Sequence, residues 1–92
     1  MTQDEVKEYI LSKDSENVIV FEDPSFSDAF LGLSDDGRAV YSHRRMIESL
    51  VKNDEMSDEE AVEFIDYNTL RSLPYMGDRH PIVVMDYDLE RD

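Results

Sequence analysis

Apolar positions recur at helical spacing near the start and in the middle of the chain, and a polar cap precedes each group. Val6, Tyr9 and Ile10 follow the capping box at residues 2–5 (TQDE), which predicts a helix over about residues 3–13. A second helix is expected over about residues 43–53, capped by Ser42. Its apolar face is formed by Met46, Ile47, Leu50 and Val51.

A third helix is predicted to begin after Ser57, because residues 57–60 (SDEE) form a second capping box. Its apolar side consists of Ala61, Val62, Phe64 and Ile65. Two ends are compatible with the sequence: Asn68 terminates the helix, or residues 69–72 add a further turn. The helix is expected to stop before Pro74, since the residue that precedes a proline disfavours the helical conformation.

Four short runs of β-branched, aromatic or other apolar residues predict strands. Residues 17–21 (NVIVF) suit a buried strand. Residues 29–33 and 39–41 flank the pair Asp-Gly at positions 36 and 37, which predicts a β-hairpin. Residues 81–85 (PIVVM) are expected to form a last, central strand, and the acidic tail 86–92 either extends it or frays.

This order, α-β-β-β-α-α-β, indicates an α+β fold: a small antiparallel or mixed sheet of three to four strands with helices on one face. A length of 92 residues fits one domain, so residues 1–92 are interpreted as a single acidic domain. Cysteine is absent, which excludes disulfides, thiolate metal sites and thiol nucleophiles. An acidic N-terminus and short apolar runs favour a cytoplasmic protein, neither secreted nor inserted in a membrane.

Charge is the most informative property of the composition. The chain has 23 acidic and 9 basic residues, a net charge of -14 and a pI near 4.2. Such a chain repels nucleic acids and anionic lipids and attracts basic surfaces, through fields that salt weakens. The expected partner is therefore a basic protein, for example one that itself binds nucleic acid, rather than a nucleic acid or a membrane.

Two rows of carboxylates are candidates for binding such a partner. They are Glu59, Glu63 and Asp66 in the third helix, and Asp86, Asp88 and Glu90 in the tail. The first three follow i, i+4, i+7 spacing, and the tail residues recur about every 6.6 Å along an extended chain. Duplex DNA carries a phosphate about every 3.4 Å along each strand, so the row in the tail is on the scale of a phosphate backbone. The alternative interpretations are a solvated helix face and a polar tail that prevents strand pairing.

Catalytic, metal and cofactor motifs are missing from the sequence. The acids at 23–28 and at 86–90 do not match the spacing of a calcium-binding EF-hand loop. His43 and His80 lie next to arginines but outside any known nucleophile or zinc spacing. We therefore expect a protein that is not an enzyme and uses no cofactor, with His43 exposed at a helix start and His80 in a loop.

The cations at the start of the second helix, His43, Arg44 and Arg45, oppose the helix macrodipole. One interpretation pairs them with nearby carboxylates such as Asp35 or Asp36. The other has them bind an anion together with the free N–H groups of the helix start.

Residues 63–77 read EFIDYNTLRSLPYMG and are followed by PIVV at residues 81–84. This string resembles small uncharacterised acidic proteins encoded by bacteriophages, prophages and their bacterial hosts. The likeness extends from about Val40 onward and does not include residues 1–38. It implies no catalytic or binding role for any residue. It implies a context, since small acidic phage proteins include many that disable host defence or replication machinery, anti-CRISPR proteins among them.

Charge and resemblance together lead to a first hypothesis: a phage-type interaction protein of the host bacterial cytoplasm. It would inhibit a host nucleic-acid-binding protein, for example a CRISPR effector, through an acidic surface that mimics DNA. The alternative is a homo-oligomeric or structural accessory protein, a homodimer for example, whose acids serve only solubility. In that case the contact would lie around Tyr75, Met76 and the strand edge. Halophilic adaptation would also account for the charge.

Overall fold

The computed structural model describes residues 1–15 and 17–86 and has three α-helices and three strands. The helices are α1 (Gln3–Ser12), α2 (His43–Asn53) and α3 (Asp58–Phe64), and the strands are β1 (Phe30–Leu33), β2 (Ala39–Ser42) and β3 (Ile82–Val84). A 3-10 turn, Ser27–Ala29, precedes β1, and α3 continues into a π-helical turn, Ile65–Thr69, and a 3-10 segment, Leu70–Met76. The α+β fold class is confirmed.

The sheet is mixed, with strand order β1-β2-β3. β1 and β2 are antiparallel, and β2 and β3 are parallel with Val40 opposite Ile82. A parallel pair needs a long crossover between its strands. Here α2, α3 and the helical segments after α3 form that crossover, which places them all between the two paired strands in sequence.

The predicted hairpin is confirmed, and its turn depends on Gly37. This residue has φ +82°, a conformation that side chains rarely adopt, and its N–H donates to the Ser34 carbonyl at 2.9 Å. A Cβ at this position would also lie 3.0 Å from the Arg79 guanidinium. Gly37 therefore serves both the turn and the approach of the segment before β3.

All three predicted helix caps are confirmed. Thr2 and Glu5 form a reciprocal capping box at α1, and Ser57 and Glu60 form one at α3. At α2 the Ser42 hydroxyl accepts from the Arg45 N–H at 3.1 Å. Each cap satisfies backbone donors that have no partner inside the helix, and so fixes the residue at which the helix begins.

The core lies where α1, α2 and α3 meet the hairpin and residues 21–29. Its fully buried members include Val6, Tyr41, Met46, Leu50 and Ile65. Tyr41 is surrounded by aromatic rings, with centroids 4.7 Å from Phe21 and 5.6 Å from Phe30. Burial raises the pKa of Tyr41 to about 12, and its hydroxyl accepts from the Phe21 N–H at 3.3 Å.

The prediction of a strand at residues 17–21 is wrong. No strand is assigned there, and Asn17 has φ +58°, in the left-handed region. Phe21 is nevertheless buried, and Val18 and Val20 pack against the core. β-branched residues favour any half-buried surface, and here they cover the core as a loop without pairing to the sheet.

The last strand predicted at residues 81–85 is confirmed as β3, Ile82–Val84, but its predicted central position in the sheet is wrong. β3 has only three residues and pairs with β2 alone among the described residues, which makes β2 the central strand. Apolar character reports burial of side chains and does not report how many neighbours a strand has. The alternatives for the tail, strand extension or fraying, fall mainly on residues 87–92, outside the described part of the chain.

The third helix was expected to stop before Pro74, whereas helical structure of the 3-10 type reaches Met76 with Pro74 inside it. Short 3-10 segments contain few hydrogen bonds. A proline is therefore tolerated in the first residues of a turn, where its missing N–H would have had no partner. The expectation held for α-helix, which ends at Phe64.

Candidate partner-binding surface

The three candidate acids of the third helix lie on its solvent side. Glu59, Glu63 and Asp66 are exposed, and we call them the acidic face. Ala61 and Ile65, two residues further along than Glu59 and Glu63, are fully buried and turn the opposite side of the helix toward the core. The apolar spacing that fixes the helix in the core therefore also fixes the acids on the outside.

The acidic face has no ion-pair partner among the described residues, and the nearest base in sequence is Arg71, five residues after Asp66. Residues 53–70 contain seven acids and no lysine, arginine or histidine. Within residues 1–15 and 17–86, the ion pairs join Met1 to Asp28, Lys7 to Glu22, Arg38 to Asp36, and Arg44 to both Glu48 and Asp86. Three of the described basic side chains, Lys7, Arg38 and Arg44, are thus paired away from α3, and the carboxylates of the acidic face are exposed.

Like charges at i, i+4 spacing destabilise a helix by about 0.2–0.5 kcal/mol for each pair. The positive end of the helix dipole offsets part of this for Glu59, which lies in the first turn. Glu63 and Asp66 lie beyond the first turn, where the positive end of the helix dipole no longer offsets the repulsion. The row is therefore electrostatically unfavourable within the chain itself.

A shallow groove of about 350 Å³ runs beside the acidic face. It is lined by Met56, Glu60, Glu63, Phe64, Tyr67 and Asn68. These positions recur at helical spacing, so α3 and the π-helical turn form one wall. Tyr67 is 60% exposed, which is unusual for a large aromatic side chain. Of the residues that line this groove, the candidates chosen from charge alone include only Glu63, although the helical spacing of the others is visible in the sequence.

Asp86 occupies a different environment from the acids of α3. Its Oδ2 accepts from the Ser42 hydroxyl at 2.6 Å, and its Oδ1 accepts from the Arg44 N–H at 3.1 Å. Burial raises the pKa of Asp86, but the hydrogen bonds from Ser42 and Arg44 outweigh it and hold this pKa below its usual value. The structure thus gives Asp86 a role at the N-terminus of α2.

Asp86 also forms an ion pair with one of the cations at the start of α2. Arg44 has its Nη1 at 3.2 Å from Glu48 and its Nε at 3.8 Å from Asp86. Pairing of these cations with carboxylates is thus confirmed for Arg44, but with Glu48 and Asp86 and not with Asp35 or Asp36; Asp36 pairs with Arg38 on its own loop. The acid that favours the start of α2 comes from the end of β3, more than forty residues away, where local spacing gives no signal.

The two remaining candidates in the tail, Asp88 and Glu90, lie outside the described residues. Their proposed spacing along an extended chain stays a prediction.

Both histidines are half-buried. His80 is half-buried in the loop before β3, and the Arg38 guanidinium lies 3.0 Å from its Nδ1 and 3.3 Å from its Nε2. Arg38 Nε also donates to the His80 carbonyl at 2.9 Å, which ties the hairpin turn to this loop. His43 is half-buried at the start of α2, whereas we expected it to be exposed.

The residues of the alternative hypothesis differ in exposure. Tyr75 is 90% exposed and Met76 is half-buried within the 3-10 segment. At the strand edge, Val84 is 38% exposed and Met85 is 59% exposed. These apolar groups offer contact area in two places on the surface.

Within residues 1–15 and 17–86, no group of three or more histidines, aspartates and glutamates is arranged to hold a metal ion. None of the helices there is both long enough and apolar enough to cross a membrane. No known protein family, curated protein or solved structure matches the chain.

Proposed function

We propose that the protein binds a basic surface of a nucleic-acid-binding protein through the acidic face and thereby excludes nucleic acid from that surface. The observation that carries this proposal is the row Glu59, Glu63 and Asp66, exposed and without an ion pair among the described residues. Real proteins break one or two such stability rules at functional sites. A cationic partner would relieve the repulsion that this row creates.

The spacing of the carboxylates suits a site built for phosphates. With a rise of about 1.5 Å for each residue, Glu59, Glu63 and Asp66 follow one another at about 6 Å and then about 4.5 Å along the helix axis. A single DNA strand places its charges about 3.4 Å apart along the duplex axis. Lysines and arginines that contact alternate phosphates are therefore spaced closely enough to reach these carboxylates.

The mechanism needs no chemical step. The net charge of -14 accelerates the encounter with a basic groove, and this acceleration falls as salt screens the field. Once bound, the acidic face occupies the positions of phosphates, and inhibition follows from competition. The likeness of residues 63–77 to phage-encoded proteins favours a partner from bacterial defence or replication, such as a CRISPR effector, in the bacterial cytoplasm.

A capture experiment tests the proposal. The tagged protein is incubated with bacterial lysate at low and at high salt, bound proteins are identified by mass spectrometry, and duplex DNA is added as competitor. We expect a nucleic-acid-binding protein that is retained at low salt and released by either salt or DNA.

A matched pair of variants separates the acidic face from net charge. The variant E59Q/E63Q/D66N removes three charges from the acidic face, and D4N/E8Q/D35N removes three exposed charges elsewhere. We expect the first to lose the captured protein and the second to retain it. Equal capture by both variants would show that the acidic face is not the binding surface.

The exposed apolar groups favour homo-oligomerisation as a second candidate function. Tyr75 at 90% and Met85 at 59% exposure would be covered in such an assembly. Apolar contacts respond little to salt, whereas contacts of the acidic face weaken with it. Sedimentation at low and high salt, with Tyr75→Ser and Met85→Ser as variants, distinguishes the two: an assembly that persists in high salt and is lost in these variants supports the second candidate.

A further inference from the structure

The groove beside the acidic face combines aromatic walls with carboxylates at its rim. Phe64 and Tyr67 supply the aromatic surface, Met56 adds an apolar side chain, and Glu60 and Glu63 border the opening. Its volume of about 350 Å³ is at the lower limit of small-molecule pockets, which span about 300–1,000 Å³. A single long side chain suits this space better than a cofactor does.

Tyr67 already holds a guanidinium within the chain. The Arg71 guanidinium lies over its ring, 4.5 Å from the centroid, yet Arg71 does not line the groove. One face of the ring thus makes a cation–π contact with Arg71, and Tyr67 as a residue keeps 60% of its surface exposed.

The carboxylates at the rim are unequal. Glu60 uses its Oε1 to accept from the Ser57 N–H at 2.9 Å, as part of the capping box. Glu63 has no ion pair or hydrogen bond within residues 1–15 and 17–86, and it belongs to the acidic face. An occupant of the groove thus meets a carboxylate whose charge is not neutralised by the described residues.

We infer that this groove binds the side chain of an arginine on the basic partner. The inference rests on the proposed function and adds to it which side chain the partner presents. A guanidinium stacks flat on an aromatic ring and pairs with a carboxylate at its edge, and it is more weakly hydrated than the ammonium of lysine. Tyr67 supplies the ring and Glu63 supplies the carboxylate.

Charge complementarity argues against the other occupants. A second copy of this chain carries the same charge of -14, and a nucleic acid is also anionic, so both are repelled. An apolar anchor would take Glu63 out of water without a partner, which is costly for a carboxylate. Only a cationic side chain with a flat apolar face satisfies both parts of the groove.

Binding of poly-arginine and poly-lysine peptides of equal length tests the inference. Affinities are measured by calorimetry at low salt, and the contact is located by amide chemical shifts. We expect the arginine peptide to bind about three-fold more tightly, the size of one exposed cation–π contact, with shifts centred on residues 60–68. Tyr67→Leu should abolish this preference by lowering the affinity for poly-arginine to about that for poly-lysine. Tyr75→Leu, which removes an exposed tyrosine outside the groove, should keep it.

The outcomes separate the two proposals. Equal affinities of the wild-type protein for both peptides, or an arginine preference that survives Tyr67→Leu, would overturn the arginine groove and leave the acidic face as a general cation surface. Binding of neither peptide would overturn the proposed function together with the groove.

Discussion

Helices α2 and α3 both begin after a serine cap, but they differ in whether the charges near their first turns are paired within the chain. α2 has cations in its first turn, and the chain brings Asp86 from the end of β3 to the N-terminus of this helix. α3 has three acids in its first turn and two more beyond it, and no described base is paired with them.

Hydrogen bonds within the chain distinguish structural charges from candidate functional ones. Asp86 and Glu63 look alike in sequence, since each lies in a row of acids. Asp86 is held by two hydrogen bonds within the chain, and its charge stabilises the fold. Glu63 is exposed and its charge destabilises the helix, so its carboxylate is available to pair with a cation of a partner.

The largest expected effect is that of removing the Ser42 hydroxyl. Ser42→Ala deletes the cap of α2 and leaves buried polar groups without their hydrogen-bond partner, so we expect a loss of about 2 kcal/mol in the free energy of unfolding. Ser57→Ala at the exposed cap of α3 is the matched control, with an expected loss of about 1 kcal/mol. Urea denaturation followed by circular dichroism measures both, and equal losses would contradict the special role of Ser42.

A smaller and pH-dependent effect is expected at Asp86. Because its folded-state pKa lies below the unfolded value, the unfolded chain binds more protons, and stability rises with pH across this interval. The contribution is fully present above about pH 4, the unfolded pKa of an aspartate, and is lost as pH falls through the lower folded-state pKa.

Asp86→Asn tests this linkage by urea denaturation at pH 7 and at pH 3. We expect a loss of about 1.5 kcal/mol at pH 7, the size of a charge-assisted hydrogen bond, and a smaller loss at pH 3. Losses of the same size at both pH values would show that the carboxylate charge does not stabilise α2.

The smallest effect should have the opposite sign. E59Q/E63Q/D66N removes the repulsion along the acidic face, so we expect a gain of about 0.5 kcal/mol in the free energy of unfolding at low salt. Added salt should reduce the gain, because screening already weakens the repulsion in the native protein. Glu48→Gln, which breaks the pair with Arg44 in α2, is the contrasting variant and should lose stability. Destabilisation by the triple variant would mean that these acids are structural.

Local patterns predicted the helices and the hairpin well. The caps at Thr2, Ser42 and Ser57 and the turn at Gly37 are each decided by residues within a few positions of one another. Short-range hydrogen bonds and backbone preferences do not depend on the rest of the fold, so sequence is sufficient for them.

Features that depend on distant partners were predicted poorly. Residues 17–21 have the composition of a strand, but whether they pair depends on which neighbours the sheet offers, and β3 lies at the edge for the same reason. Of the candidate site, the exposure of Glu59, Glu63 and Asp66 followed from helical spacing. The capture of Asp86 by Ser42 did not, since it needs the parallel pairing of β2 and β3.

The parallel pairing of β2 and β3 has a consequence for how the chain folds. Val40 pairs with Ile82, and the same offset of 42 residues joins Gly37 to Arg79, Arg38 to His80 and Arg44 to Asp86. One register therefore governs contacts both inside and beyond the strands, and a slip by one residue would break all of them together. Closing so long a loop is entropically slow. We therefore expect the β2–β3 pairing and the contacts of the same offset to form late and in one cooperative step, after the local helices and the hairpin.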